Sequence, residues 1–135
     1  MSLTYQLEPD LKAAEFQDIL IRSGLAPRRP ADDLDRLEKM CRNADIILTC
    51  RDEESLLVGV SRTTTDYSYC TYLSDLAVDK ACQSQGIGKE LIKRTHETAG
   101  LETMLILLSA PNATNYYPKA GMEKHDSCWI IKRKN

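Results

Sequence analysis

The sequence lacks any apolar run long enough to cross a membrane. Its longest, residues 104–108, is five residues, against the roughly 20 that a spanning helix needs. It also lacks a surplus of positive charge. Eighteen Lys and Arg stand against 20 Asp and Glu, a net charge of −2, which excludes the diffuse basic surface of a general nucleic-acid binder. The five cysteines (Cys41, Cys50, Cys70, Cys82 and Cys128) are odd in number and no two form C-x-x-C. Neither a disulfide framework nor a zinc ribbon is indicated. Only His96 and His125 are present, neither in H-E-x-x-H spacing, so no metal is expected. Met1-Ser2-Leu3-Thr4 carries no basic patch and no apolar stretch, so no secretory leader is expected. Five reduced thiols in a cytoplasmic protein are the consistent expectation.

What is there is ordinary for a globular chain: 135 residues, 42% hydrophobic and 28% charged. That length suits a single domain over residues 1–135 with a core that needs no staple. In the first half, residues 10–23 fit a helical stripe roughly, and Gly24 reads as its stop. Pro27 and Pro30 break the chain. A second helix follows, with Asp32 and Asp33 at its start, where the dipole favours them. Leu34, Leu37 and Cys41 recur at helical spacing and give it one buried face. The period then changes to three strands, residues 46–50, 56–65 and 69–78, joined by short polar turns and so antiparallel.

The second half predicts a helix over residues 86–99, with Gly100 as its C-cap candidate. Residues 104–108 predict an apolar strand buried on both faces. Strand, helix and strand together make a βαβ unit with parallel pairing. A short helix over residues 112–119 and a last strand over residues 128–132 complete the reading. The expected fold is α/β (α+β). It has a mixed central sheet of about six or seven strands, antiparallel at the N-terminal side, with helices on both faces.

The segment Gln83-Ser84-Gln85-Gly86-Ile87-Gly88-Lys89 lies between a strand and an amphipathic helix. The first N–H groups of a helix have no intrahelical partner, and the dipole adds positive charge. With Gly86 and Gly88 removing side chains, the turn can form an anion site for a phosphate or pyrophosphate. A tight turn with no ligand would use the same glycines. A Rossmann fingerprint is excluded because Leu91 stands where a third small residue is needed. A Walker A loop is excluded because Glu90 follows Gly88-Lys89.

What remains, Gln83-x-x-Gly86-x-Gly88 after a strand ending Leu76-Ala77-Val78, resembles the GNAT superfamily of acyl-CoA-dependent N-acetyltransferases. A second segment, Tyr116-Tyr117-Pro118-Lys119-Ala120-Gly121-Met122, is similar to that family's F-Y-x-K-x-G-F, with Met122 in place of Phe. The resemblance covers residues 46–122. It implies acetyl-CoA as co-substrate, with residues 83–89 around its pyrophosphate and Leu76, Ala77 and Val78 beside its pantetheine arm. It implies Tyr117 near the sulfur. It also implies direct acetyl transfer to a primary amine, with a small molecule as the expected acceptor and a homodimer as the expected oligomer. No nucleic-acid or membrane partner is expected. Two other functions stay open: a non-catalytic acyl-CoA-binding regulatory module, and a protein-tail acetyltransferase.

Chemistry sets what such a site must contain. An alkyl ammonium has a pKa near about 10.4, so the neutral nucleophile at pH 7 is rarer by roughly 10³, or about 4–5 kcal/mol. A base or a water path must take that proton, and an acid should protonate the leaving thiolate. A tyrosine phenol suits the acid role, and Tyr117 is the candidate. Some relatives place a Glu base on the strand before the loop, but Tyr72 stands there. Asp75, the nearest acid on that strand, is the candidate base. It could equally be a structural carboxylate, with water carrying the proton. Cys82 has no neighbouring His in the sequence and reads as passive. His96 reads as a solvated cation at a helix end. Asn112 could touch pantetheine, although relatives often make that contact where Ala110 stands. The terminal Lys132-Arg133-Lys134 reads as a solvated tail.

Overall fold

The computed structural model describes residues 2–111 and 115–134. The chain forms β1 (Thr4–Leu7), α1 (Ala13–Ser23), a 3₁₀ turn (Ala26–Arg28), α2 (Leu34–Arg42), β2 (Ile46–Arg51), β3 (Leu57–Thr65) and β4 (Cys70–Val78). A second 3₁₀ turn (Lys80–Cys82) leads into α3 (Ile87–Ala99), β5 (Met104–Ile106) and α4 (Tyr116–Lys119). The five strands make one sheet in the order β1-β2-β3-β4-β5. Every pairing is antiparallel except β4 with β5, which is parallel.

Side-chain alternation on the central strands feeds a core on each face. Ile47, Val60 and Ala77 join Phe16, Ile19 and Leu20 of α1 and Leu37 and Cys41 of α2. Ile46, Leu48, Cys50 and Val58 join Ile87, Leu91 and Ala99 of α3 on the other side. The approach of α3 depends on Gly59. A Cβ there would lie 2.8 Å from Ile87 Cγ2 and 3.1 Å from Leu91 Cδ1. Helix ends follow the sequence signals. Gly24 caps α1 in the left-handed region at φ 86°, and the Asp33 carboxylate accepts the Arg36 N–H at the start of α2.

Three expectations are corrected. Among the described residues the sheet has five strands rather than six or seven. Residues 104–108 are not doubly buried. Only Met104–Ile106 is strand, and as the sheet's edge it leaves Met104 62% and Ile106 51% exposed. Residues 128–132 form no strand, and Trp129 and Ile131 are 91% and 100% exposed. An apolar, β-branched run becomes a strand only when an edge accepts its hydrogen bonds, and within one chain none does so here. β1 carried no periodic signal because three of its four residues are exposed. The short helix begins at Tyr116, and residues 112–114 of its expected span lie outside the described residues.

Candidate active site

The site begins where the parallel pair parts. β4 hydrogen-bonds β5 only through Cys70↔Met104, Thr71↔Leu105 and Tyr72↔Ile106, yet it stays paired with β3 out to Val78. Beyond Tyr72, the edge of β4 faces a cleft of about 720 Å³, walled on the far side by Leu107, Leu108 and Ala110. Side chains take up two carbonyls of this stretch, Ser74 by Arg29 and Val78 by Gln83; the main-chain groups of that edge left without a strand partner can pair with an extended ligand.

A bulge marks the parting point. Arg62 faces Asp75 while Thr63 faces Leu73, so Ser74 is an extra residue in β4, which bends the strand locally. Two arginines hold it. Arg29 donates to the Asp75 carboxylate and, at 2.8 Å, to the Ser74 carbonyl. Arg62 donates to the other Asp75 oxygen and to the Ser74 hydroxyl at 3.1 Å. Asp75 is wholly buried and is absent from the cleft wall. Asp75, the candidate base of the sequence reading, thus sits inside this clamp. Both its oxygens are engaged by guanidinium groups, one of which, Arg29, itself borders the cleft.

At the other end of the cleft, Ser84 and Gly86 take left-handed conformations, φ 70° and 80°. The Glu90 N–H is the first to find an intrahelical acceptor, on Gly86. The N–H groups of Ile87, Gly88 and Lys89 precede it, and no side chain caps the helix. This uncapped N-terminus faces the cleft and is suited to an anion. The Gln83 amide donates to the Val78 carbonyl at 3.3 Å and ties the loop to the strand end. Leu76, Ala77, Val78, Gln83, Ser84 and residues 86–89 all border the cleft; Gln85 does not.

Tyr116 and Tyr117 close the third side. Their rings meet edge to face, with centroids 5.1 Å apart. Tyr116 reaches toward the glycine loop, and a Cβ on Gly88 would run into its hydroxyl. Tyr117 lies toward the first 3₁₀ turn. Burial pushes its phenol above the usual 10, against a smaller downward pull from Arg28 and Arg29. It therefore holds its proton at neutral pH. Sequence reasoning missed Arg28, Arg29 and the reach of Tyr116. The available signal was a pair of arginines between Pro27 and Pro30, which marks a rigid turn but not its destination.

Other residues resolve simply. The Cys82 thiol is buried beside the cleft and raised, chiefly by that burial, so it is protonated. His96 is not a fully solvated side chain: it is half-buried, and its Nε2 lies 2.7 Å from the Thr103 carbonyl and links α3 to the start of β5. Asn112 lies outside the described residues. Among the described residues, no group of three or more His, Cys, Asp or Glu could hold a metal, and no helix is long and apolar enough to cross a membrane.

A mixed sheet split at its parallel pair, with an uncapped helix N-terminus facing the split, brings an open strand edge and an anion site into one cleft. Comparison with known proteins makes the assignment specific. The profile of the acetyltransferase (GNAT) domain matches residues 30–129, so the chain belongs to the GNAT acetyltransferase family. A histone acetyltransferase of Glycine max is 27% identical over 109 residues, covering 72% of this chain and 46% of its own length. The chain thus spans less than half of that curated relative. A probable acetyltransferase from meticillin-resistant Staphylococcus aureus superposes with TM-score 0.79 at 19% identity, over 99% of this chain and 100% of that one. An aminoglycoside N-acetyltransferase in complex with CoA superposes with TM-score 0.74 at 14% identity, over 99% and 96%. At these identities the two structures share the fold.

Proposed function

We propose that this domain transfers an acetyl group from acetyl-CoA to the primary amine of a small molecule by direct attack. The observation that carries this reading is the juxtaposition of two unpaired main-chain sites in one cleft: the open edge of β4 and the uncapped start of α3. The residues fit the co-substrate. The loop at Gly86 has open space in front of it, and Ile87, Gly88 and Lys89 offer N–H groups to a pyrophosphate. The edge at Leu76, Ala77 and Val78 offers amide partners to a pantetheine arm. Bound acetyl-CoA supplies a thioester carbonyl for attack and a thiolate to leave.

The chain's own residues do the rest. Tyr117, which lines the cleft and is protonated at neutral pH, gives its proton to the departing sulfur. Asp75 and the two arginines hold the β4 bulge that opens the edge. The amine's proton leaves through water in the open cleft. The five free thiols support a reducing, cytoplasmic setting. The unpaired β5 edge and the exposed Trp129 support a homodimer.

The test is an amine panel with acetyl-CoA, following thiol release, together with calorimetry of CoA on the wild type and on Gly88→Val. CoA should bind the wild type, and the valine should weaken it strongly by driving Cβ into the Tyr116 hydroxyl and the anion's approach. Equal affinity in both proteins would remove the assignment. CoA binding without thiol release from any amine would favour the regulatory module.

A further inference from the structure

The charge of the cleft is one-sided. Among the described residues its wall carries Arg28, Arg29, Lys80, Lys89 and Lys119 and no Asp or Glu, on a chain whose net charge is −2. These cations are not equivalent. Lys89 lies in the first turn of α3 and belongs to the anion site there. The Lys80 side chain lies over Gly24, the C-cap of α1, where a cation suits the negative end of the dipole. Arg29 is taken up by Asp75 and the Ser74 carbonyl, and Lys119 sits in the last turn of α4 on the tyrosine side of the cleft.

Arg28 is different. It ends the Ala26–Arg28 turn and is close enough to Tyr117 to act on its phenol. Among the described residues its guanidinium forms no ion pair, while its main-chain N–H donates to the Leu25 carbonyl and its carbonyl accepts from Arg29. The clamp on Asp75 fixes the next residue of the chain, so Arg28 is held in place rather than left on a free loop. The co-substrate gives it no counter-ion, because the charged groups of CoA lie at its nucleotide end and the thioester end is neutral. A guanidinium beside the acceptor repels amines that carry further positive charge and attracts those that carry an anion. It also disfavours the charged form of a nearby ammonium, which favours the neutral nucleophile.

Resting on the acetyltransferase reading above, we propose that the acceptor is an amine that also carries a carboxylate or phosphate, and that Arg28 binds that anion. Polycationic acceptors, lysine-rich protein tails included, fit this end of the cleft poorly.

The test is calorimetry on the full chain saturated with CoA, titrated with four small amines: ethanolamine, O-phosphoethanolamine, β-alanine and putrescine. At least one of the two anionic amines should bind about tenfold or more tighter than ethanolamine, as expected for a charge-assisted pair, and putrescine should bind weakest. Whichever of O-phosphoethanolamine and β-alanine gains more identifies phosphate or carboxylate as the preferred anion. Arg28→Ala should erase the gain, and Arg28→Glu should reverse the order in favour of putrescine. CoA titration of each variant reports that its fold and nucleotide end are intact. A gain that survives Arg28→Ala, a preference for putrescine in the wild type, or no gain for either anionic amine overturns the proposal. Failure of the wild type to bind CoA would overturn the acetyltransferase reading instead.

Discussion

Arg29 and Asp75 lie 46 residues apart and meet in an ion pair whose carboxylate is wholly buried. Arg62 closes the same carboxylate from the neighbouring strand. The cluster does two things at once. It fastens the Pro27–Pro30 turn to the sheet, and it holds the bulge at Ser74 just past the last β4–β5 hydrogen bonds. The cleft is open because of where this clamp sits.

Asp75→Ala should therefore act on stability first. Removing the carboxylate leaves two part-buried guanidinium groups without their partner, a loss of about 3 kcal/mol or more by the usual cost of breaking a buried pair. Urea denaturation measures it. Asp75→Asn, which keeps the shape, should lower the melting temperature and leave the acidic limb of the pH–rate profile where it is. A shift of that limb would restore Asp75 as a base.

A part-buried pair contributes to the acid sensitivity of the fold. Arg51 on β2 donates to Glu8 at 2.7 and 2.9 Å. Chiefly through that contact, the Glu8 carboxyl is held down to about 2 from 4.5. A depressed carboxyl contributes stability above its unfolded value and loses it as pH falls through the folded one. The contribution should begin to fall below about pH 5 and be largely lost near pH 2. Glu8→Gln should flatten that part of the stability curve. An unchanged acid dependence in the variant would show that other carboxylates carry it.

The sequence was most legible where a pattern is local. The helices at Ala13–Ser23, Leu34–Arg42 and Ile87–Ala99 show their own stripes and caps, and the glycine loop announces an anion site through backbone geometry alone. It was least legible where burial depends on a neighbour. Residues 104–108 have the composition of an inner strand, but nothing in them says that no further strand covers Met104 and Ile106. Nothing local in the sequence says that Arg29 and Arg62 meet on one aspartate. The Asp75 carboxylate was visible from the sequence, but its two guanidinium partners were not.

The bare edge and the bare tail point to one another. β5 exposes Met104 and Ile106 on an unpaired edge, a surface that proteins seldom leave uncovered. The tail offers Trp129, Ile130 and Ile131, followed by Lys132, Arg133 and Lys134. Antiparallel pairing with β5 of a second copy would bring those cations near Glu102, at the start of that strand. Trp129 is the only tryptophan, so its emission reports on this contact alone. The emission maximum should move to shorter wavelength as concentration rises, in step with dimer formation by sedimentation. Trp129→Glu should keep the chain monomeric. A monomer with a fixed emission maximum across the dilution series would exclude the exchange.

Tyr117 is the proposed acid for the remaining chemical step, and its test separates catalysis from packing. Tyr117→Phe keeps the ring and its edge-to-face contact with Tyr116 while removing the phenolic proton. If that proton goes to the departing thiolate, kcat should fall by roughly 10²-fold or more with the KM for acetyl-CoA nearly unchanged, because the lost interaction belongs to the transition state. The upward push of burial on the phenol places the loss of its proton above pH 10. The wild-type rate should therefore show no basic fall from this group below that pH. Tyr116→Phe is the companion variant. Its hydroxyl lies against Gly88, so its loss should change CoA affinity rather than kcat. A Tyr117→Phe protein within about threefold of the wild-type kcat, with chemistry shown to limit the rate, would refute the acid role. That result would leave the cleft, the loop and the family assignment as they stand, and would move the search for the acid to water.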